Sequence, residues 1–264
     1  MIIAIDIGNT NIHVGIFDSK KLLDVFYVGT DHTRSGDEYA ITLKALIESN
    51  GRVLEALDGV IIGSVCPDIT PKLQYAMKKL TSAPITTVGP GIKTGYPIKV
   101  DNPSELGADL VANTAGALDL SGSPVIIVDF GTATTISAVD KSKAYAGCYI
   151  MPGIQMSLNS LNQTGLLPNV IADESFPVLA KNSSDSMKSG VIFGQVMAVE
   201  GFVETYKREL DLPSSTPVYV TGGFAPMLLT YFRIKVKHVD DLTLKGLNVI
   251  YNANNKKSSR VRPG

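Results

Sequence analysis

Residues 1–18 have the sequence MIIAIDIGNTNIHVGIFD, which predicts two strands joined by a tight turn. Residues 2–5 form an apolar run that suits a buried strand and is too short to span a membrane. Asp6 follows at the end of that strand, and residues 13–17 have the pattern of the second strand. The turn between them consists of small polar residues, namely Gly8, Asn9, Thr10 and Asn11.

A carboxylate followed at once by such a turn suits a polyphosphate site. The turn offers backbone N–H groups, hydroxyls and amides to phosphate oxygens. Asp6 can hold a divalent metal, either directly or through water. The same pattern is also that of an ordinary hairpin with an aspartate beside its turn, and this stretch alone leaves both interpretations open.

Residues 125–140, VIIVDFGTATTISAVD, repeat the design. An apolar strand ends at Asp129, a turn is expected from Gly131 and Thr132 through Thr135, and a second strand ends at Asp140. Two hairpins of the same order, one near the start of each half, predict a duplicated unit whose loops face each other. A third turn, with Gly222 and Gly223 after a strand at 218–220, offers bare backbone on which a nucleotide base or ribose can pack.

Composition limits the classes of protein that fit. The chain has 264 residues, enough for two lobes, and a net charge of −1 that favours neither nucleic acid nor an anionic membrane as a partner. Cys66 and Cys148 lie far apart and outside any CxxC motif, so neither a disulfide framework nor a zinc site is predicted. The N-terminus lacks the basic and long apolar regions of a signal peptide, which favours the cytoplasm.

Strands that alternate with helices along the chain predict an α/β fold. The expected domains are an N-terminal lobe at 1–118, a C-terminal lobe at 119–255 and a short basic tail at 256–264. Ser104 is the expected N-cap of a helix at 105–118, with Asp109 near its start. A long helix is predicted at 184–210.

Seven motifs, in order and spacing, carry a family resemblance. They are DIGNTN (6–11), DNPSELGAD (101–109), DFGTATT (129–135), PGI (152–154), SGVIFG (189–194), TGG (221–223) and LTLKGLNVIY (242–251). The chain resembles the type III pantothenate kinases of the acetate and sugar kinase, Hsp70 and actin superfamily. The resemblance implies two ribonuclease-H-like (actin-like ATPase) lobes with mixed sheets and flanking helices. It also implies transfer of a phosphoryl group from ATP to pantothenate, the first step of coenzyme A biosynthesis.

The resemblance assigns roles to individual residues. The catalytic base falls on Asp109, whose residue pattern alone favours a residue that caps or is solvated in an early helical turn. The resemblance places a ligand of a monovalent cation, K⁺ or NH₄⁺, on Asp129, while Mg²⁺ is expected on Asp6 from the hairpin itself. Asp6, Asp109 and Asp129 are expected to face one cleft. The expected nucleotide contacts are Gly8, Asn9, Thr10, Asn11, His13, Gly131, Thr132, Gly222 and Gly223, although His13 also fits a structural role in the hairpin.

The acceptor side departs from the family pattern. The expected substrate contacts are Val100, Gly107, Ala108, Asp109, Leu110 and Ser183. The family pattern has arginine where this chain has Leu110, tyrosine where it has Val100, threonine at Ser183 and glycine at Cys148. The resemblance also implies a homodimer through the helix at 184–210, with Ser183 completing the partner's pocket. A kinase for another hydroxyl acceptor and a non-catalytic nucleotide-binding regulatory or accessory paralogue remain the alternatives.

Overall fold

The computed structural model describes residues 1–163, 165, 167–173 and 176–255. The predicted basic tail at 256–264 lies outside the described residues. The chain forms two compact units. Unit 1 comprises Met1–Tyr96, Asn102–Asp119 and the chain from Thr243, and unit 2 comprises Pro97–Asp101 and Leu120–Leu242. The domain limits at 118 and 255 stay predictions; by these contacts the last helix groups with the N-terminal unit.

Unit 1 contains a five-stranded mixed sheet of order β3-β2-β1-β4-β5. The first three strands are antiparallel, and β4 and β5 continue parallel to β1. The strands are β1 (Ile2–Ile7), β2 (Asn11–Asp18), β3 (Lys21–Gly29), β4 (Gly59–Ser64) and β5 (Ile85–Thr87). The helices are α1 (Gly36–Ser49), α2 (Thr70–Leu80), α3 (Ala108–Ser121) and, after unit 2, α7 (Leu242–Asn255). Short 3₁₀ helices occupy Leu54–Ala56 and Pro103–Glu105.

Unit 2 contains the second five-stranded mixed sheet. Its strands are β6 (Val125–Phe130), β7 (Ala133–Val139), β8 (Tyr145–Pro152), β9 (Val218–Thr221) and β10 (Lys237–His238). Its helices are α4 (Ile154–Asn162), α5 (Ser183–Glu209) and α6 (Ala225–Leu228), followed by a 3₁₀ turn at Leu229–Tyr231. Among the residues described in either unit, no helix has both the length and the apolar composition of a membrane span.

The two sheets have the same topology. The order β8-β7-β6-β9-β10 in unit 2 repeats β3-β2-β1-β4-β5 in unit 1, with antiparallel and parallel pairs at the same places. Both β1 and β6 are six residues long, and in both only the fifth residue, Asp6 or Asp129, is not fully buried. The predicted mixed sheets with flanking helices are confirmed, and the repeated order agrees with an internal duplication.

The predicted turns are longer than the observed ones. Asn11 already belongs to β2, and β7 begins at Ala133, so the second turn consists of Gly131 and Thr132 alone. From Ala133 onward the backbone pairs with β8. These residues form a strand rather than a turn because that pairing satisfies their backbone hydrogen bonds.

The prediction that Ser104 caps the next helix is wrong. Asn102 instead caps the 3₁₀ turn at Pro103–Glu105, where its side chain accepts a hydrogen bond from the Ser104 N–H and donates one to Glu105. The α-helix begins only at Ala108. Asparagine binds its own following backbone strongly, and this local turn competes with an earlier start of the helix.

Helix α7 packs closely within unit 1 because small residues make room for it. A Cβ built on Gly246 would lie 1.7 Å from the carbonyl oxygen of Ala112 in α3. The side chains of Leu244 and Leu247 lie against the positions where Gly15 and Gly63 lack a Cβ. The glycine of the LTLKGLNVIY motif therefore serves backbone contact between two helices.

Candidate active site

The turn after β1 is held in place from two sides. The Gly8 N–H donates to the Asn11 carbonyl oxygen over 3.0 Å, which closes the turn. Thr30, the residue after β3, also binds the turn. Its hydroxyl donates to the Gly8 carbonyl at 2.7 Å, and its N–H donates to the Thr10 carbonyl at 3.0 Å. Asn9 and Thr10 remain exposed at the tip. Sequence reasoning missed Thr30, because its position opposite the turn depends on the pairing of β2 with β3.

Asp6 lies between His13 on β2 and Gly63 on β4 in the strand register. The His13 ring contacts the Tyr27 ring edge-on at a centroid distance of 4.9 Å, the structural partner that the hairpin interpretation expects. A Cβ built on Gly63 would lie 3.7 Å from the Cβ of Ala108. The absence of a side chain at Gly63 thus brings the first turn of α3 against the strands beside Asp6. A glycine inside a strand was the available signal for this close approach.

Asp109 lies in the first turn of α3 and is half-buried. Its Oδ1 accepts a hydrogen bond from the Leu110 N–H at 2.8 Å. A Cβ built on Gly107 would lie 2.4 Å from the same Oδ1, so the carboxylate needs a glycine there. Burial raises the pKa of the Asp109 carboxyl above its ordinary value, and the Leu110 N–H offsets part of that rise. A carboxylate with a raised pKa is suited to accept a proton near neutral pH.

Cys66 is a neighbour of this site that sequence reasoning did not include. It follows β4, is buried, and its Sγ lies 3.4 Å from Asn9 Oδ1 in the turn. Burial raises the pKa of the Cys66 thiol, and the negative charges of Asp68 and Asp6 raise it further. The thiol is therefore a neutral packing partner of the turn rather than a nucleophile.

In unit 2, Asp129 lies between two glycines. A Cβ built on Gly131 would lie 3.4 Å from Asp129 Oδ1, and one built on Gly222 only 2.5 Å away. Gly222 has a φ of +95°, while Gly223 is exposed with no atom within 4 Å of a built Cβ. The TGG turn thus has one glycine that closes against Asp129 and one that presents open backbone.

Gly153 packs against the Gly131–Thr132 turn and forms a hydrogen bond with it. Its N–H donates to the Thr132 carbonyl oxygen over 3.2 Å. A Cβ built on Gly153 would lie 2.2 Å from that oxygen and 2.6 Å from the Gly131 carbonyl. Gly153 is also the N-cap of α4, so the PGI motif joins the start of this helix to the turn.

The expected acceptor contacts are distributed over both units. Leu110 belongs to unit 1, is 8% exposed, and its backbone N–H binds the Asp109 carboxylate. Val100 belongs to unit 2, where the neighbouring Lys99 N–H binds the Tyr145 carbonyl at 3.0 Å. Ser183 is the exposed first residue of α5, next to the capping residue Asn182. No measurement in the structure tests the roles of these residues, which stay predictions.

Among the described residues, no three His, Cys, Asp or Glu side chains form a group that could hold a metal ion. Asp6 and Asp129 each supply one carboxylate near the end of a strand. Such donors fit Mg²⁺, which commonly takes one or two carboxylates and completes its shell with water and substrate phosphates.

The fold has counterparts among solved structures. A structure described as a putative 2-dehydro-3-deoxygalactonokinase from Sinorhizobium meliloti has a TM-score of 0.58, with 100% of both chains covered and 10% sequence identity. Component A of the (R)-2-hydroxyglutaryl-CoA dehydratase from Acidaminococcus fermentans has a TM-score of 0.55, with 97% of both chains covered and 11% identity. With the two matching sheets, these likenesses show an actin-like ATPase fold.

Comparison with known sequences identifies the family within this fold class. The family model for type III pantothenate kinase matches residues 2–205. A type III pantothenate kinase of Halalkalibacterium halodurans is 39% identical over 256 residues, covering 96% of this chain and 100% of that protein. The chain belongs to the type III pantothenate kinase family.

Proposed function

We propose that this protein transfers the γ-phosphoryl group of ATP to the hydroxyl of pantothenate, giving ADP and 4′-phosphopantothenate. The observation that carries the proposal is Asp109, a half-buried carboxylate with a raised pKa in the first turn of α3. Family membership over nearly the whole chain supports the choice of acceptor.

Asp109 acts as the base in this proposal. Its carboxylate accepts the proton of the attacking hydroxyl as the oxygen bonds to phosphorus and the bond to ADP breaks. The Leu110 N–H and the missing side chain at Gly107 fix the orientation of the carboxylate. Phosphoryl transfer depends on such positioning more than on covalent chemistry.

The two glycine turns bind the phosphates of ATP in this proposal. Asn9, Thr10 and Thr132 are exposed at the tips, and each turn is held from behind by a hydrogen bond to its carbonyl oxygens. Turns with fixed backbones bind anions well because little freedom is lost on binding. The open backbone of Gly223 offers a surface for the base or ribose.

The cations follow from the donor atoms. Asp6 would hold Mg²⁺, which neutralises charge on the β- and γ-phosphates when bound. Asp129 would hold a monovalent cation, K⁺ or NH₄⁺. Both residues supply hard oxygen donors, which is the ligand type that these cations prefer.

A second acceptor remains a candidate because of Leu110. An arginine at this position would offer five donors to a polar acceptor, whereas leucine offers none. The loss of these donors favours an acceptor that is less polar than pantothenate around its hydroxyl. The same family fold with a different alcohol is therefore the alternative function.

Asp109→Asn tests the proposed base. We expect ATP binding to stay within about twofold of wild type, since Asn keeps the shape, while turnover falls roughly 10²-fold or more. Asp119→Asn is the matched control, because Asp119 lies on the same helix but is paired with Lys20 at the surface. Near-native turnover in Asp109→Asn would remove Asp109 from the mechanism.

We also propose a homodimer through the outer face of α5. Its exposed positions recur every three or four residues and are mostly small: Ser186, Gly190, Gly194, Met197 and Gly201. A Cβ built on any of the three glycines meets no atom within 4 Å. Each glycine costs a helix about 1 kcal/mol relative to alanine. Close approach of a second copy would offset this cost by packing backbone against backbone.

Gly194→Leu tests the dimer. The monomer has room for the new side chain, so we expect a folded protein that sediments as a monomer at micromolar concentration. Gly89→Leu is the control, since Gly89 has equal open space but lies outside α5. A wild-type monomer under the same conditions would contradict the proposal.

The free thiols Cys66 and Cys148 support a reducing, cytoplasmic location for the enzyme.

A further inference from the structure

Gln195 is a buried polar residue on the inner face of α5. Its side chain is only 7% exposed, whereas Gly194 and Met197, which flank it in the sequence, are exposed on the outer face of the helix. Its Nε2 donates a hydrogen bond of 2.6 Å to the carbonyl oxygen of Pro152, the last residue of β8. The family resemblance described above assigns no role to Gln195.

The contact leads directly to the nucleotide turn. Gly153, the residue after Pro152, donates its N–H to the Thr132 carbonyl and lies too close to the turn for any side chain. Pro152 has no N–H to donate, so its carbonyl oxygen is the backbone group through which it can be hydrogen-bonded at this corner. That oxygen accepts from Gln195, and at 3.5 Å also from the Ser157 hydroxyl.

Packing alone does not explain a glutamine at this position. Within the part of the chain that the structure describes, the buried Oε1 of Gln195 has no hydrogen-bond partner. A buried carbonyl without a partner is unfavourable, and methionine would fill the same volume without that cost. What glutamine adds is an N–H donor aimed at the Pro152 carbonyl.

We propose that Gln195 is a positioning residue that sets the Gly131–Thr132 turn for binding the phosphates of the nucleotide. The proposal rests on the proposed function, in which that turn binds ATP. Gln195 acts through Pro152 and Gly153 and does not contact the nucleotide. It also joins the turn to α5, the helix of the proposed dimer.

Gln195→Met removes the donor and keeps the volume. We expect the KM for ATP to rise about five- to tenfold, the usual effect of losing one hydrogen bond, with the KM for pantothenate within twofold of wild type. Gln74→Met is the matched control, because Gln74 also donates one Nε2 hydrogen bond, to Thr87 in unit 1. A merely structural glutamine would lower the melting temperature without this selective change in KM.

Gln195→Glu provides a second variant if Gln195→Met folds poorly. An ionised glutamate cannot donate to a carbonyl, whereas a protonated one can. At pH 8 an ordinary glutamate carboxyl is ionised, so we expect Gln195→Glu to raise the KM for ATP as Gln195→Met does. A KM for ATP equal to that of wild type at pH 8 counts against the proposal.

Thr132→Ala separates failure of this proposal from failure of the proposed function. If Thr132→Ala raises the KM for ATP and Gln195→Met does not, Gln195 has no positioning role and the nucleotide turn stands. If neither variant changes the KM for ATP, both the positioning role and the assignment of the turn are wrong.

Discussion

Gly222→Ala is a sharp test of the site in unit 2. The new methyl group would lie 2.5 Å from Asp129 Oδ1 and 2.5–2.6 Å from backbone atoms of Phe130. Backbone cannot move aside as a flexible side chain can. The φ of +95° at Gly222 adds strain, since alanine rarely adopts it.

The two effects add in the same direction. Backbone strain costs about 1–3 kcal/mol, and overpacking costs another 1–3 kcal/mol or so. We therefore expect Gly222→Ala to lower the free energy of unfolding by about 2–6 kcal/mol. The corresponding fall in melting temperature is roughly 5–15 °C.

Gly223→Ala is the matched control for stability. Its Cβ meets open space, so thermal unfolding followed by circular dichroism should give a melting temperature within about 2 °C of wild type. If the nucleotide packs on Gly223, the same variant should still raise the KM for ATP. Equal melting temperatures for Gly222→Ala and wild type would refute the close packing of the TGG turn on Asp129.

Three further predictions follow from unit 1. Gly246→Ala should lower stability by at least about 2 kcal/mol in chemical denaturation, because its Cβ would overlap the Ala112 carbonyl; unchanged stability would contradict the packing of α7 on α3. Leu110→Arg should lower the KM for pantothenate roughly ten- to a hundredfold if the acceptor pocket is that of the family, at some cost in melting temperature since Leu110 is buried; no gain would favour another acceptor. Asp109→Asn should be more stable than wild type at pH 7–8, with the difference shrinking toward acid pH, and an equal difference at all pH values would contradict the raised pKa of Asp109.

The sign of the last prediction follows from linkage. The folded state raises the pKa of Asp109 above its ordinary value of 3.8, so it binds the proton more tightly than the unfolded chain. That contribution to stability is fully present below the unfolded pKa and is lost as the pH rises through the folded pKa. Asparagine does not titrate and keeps an acceptor for the Leu110 N–H, so it avoids this loss.

Periodicity and repeated motifs were sufficient to predict the central strands of the two sheets, whereas the mixed sheets were implied by the resemblance. The runs before Asp6 and Asp129 are apolar at nearly every residue, as buried strands are, and each precedes a glycine turn. Their recurrence predicted two similar units, which the equal strand orders confirm. The start of α3 was missed because Asn102 forms its own local turn, a choice that depends on side-chain geometry rather than on periodicity.

The site was predictable where a motif carried it and not where tertiary contact did. Asp109 stood out through the resemblance, but its raised pKa depends on burial that no spacing reveals. Some residues of the site contact motif residues that are distant along the chain, namely Thr30, Cys66 and Gln195. For Thr30 and Cys66 the separation is between 20 and 57 positions. Only folding brings such residues together. The assignment of Asp6, Asp109 and Asp129 to one cleft stays a prediction.

The central claim is that this protein phosphorylates pantothenate. The direct measurement is ADP release by the purified protein with ATP, Mg²⁺ and K⁺, in the presence of pantothenate or of a panel of related alcohols, with the product identified by mass spectrometry. The account predicts that ADP release depends on pantothenate and that one molecule of pantothenate gains one phosphoryl group for each ADP formed. ADP release that is independent of pantothenate, or that depends only on another alcohol, would contradict it.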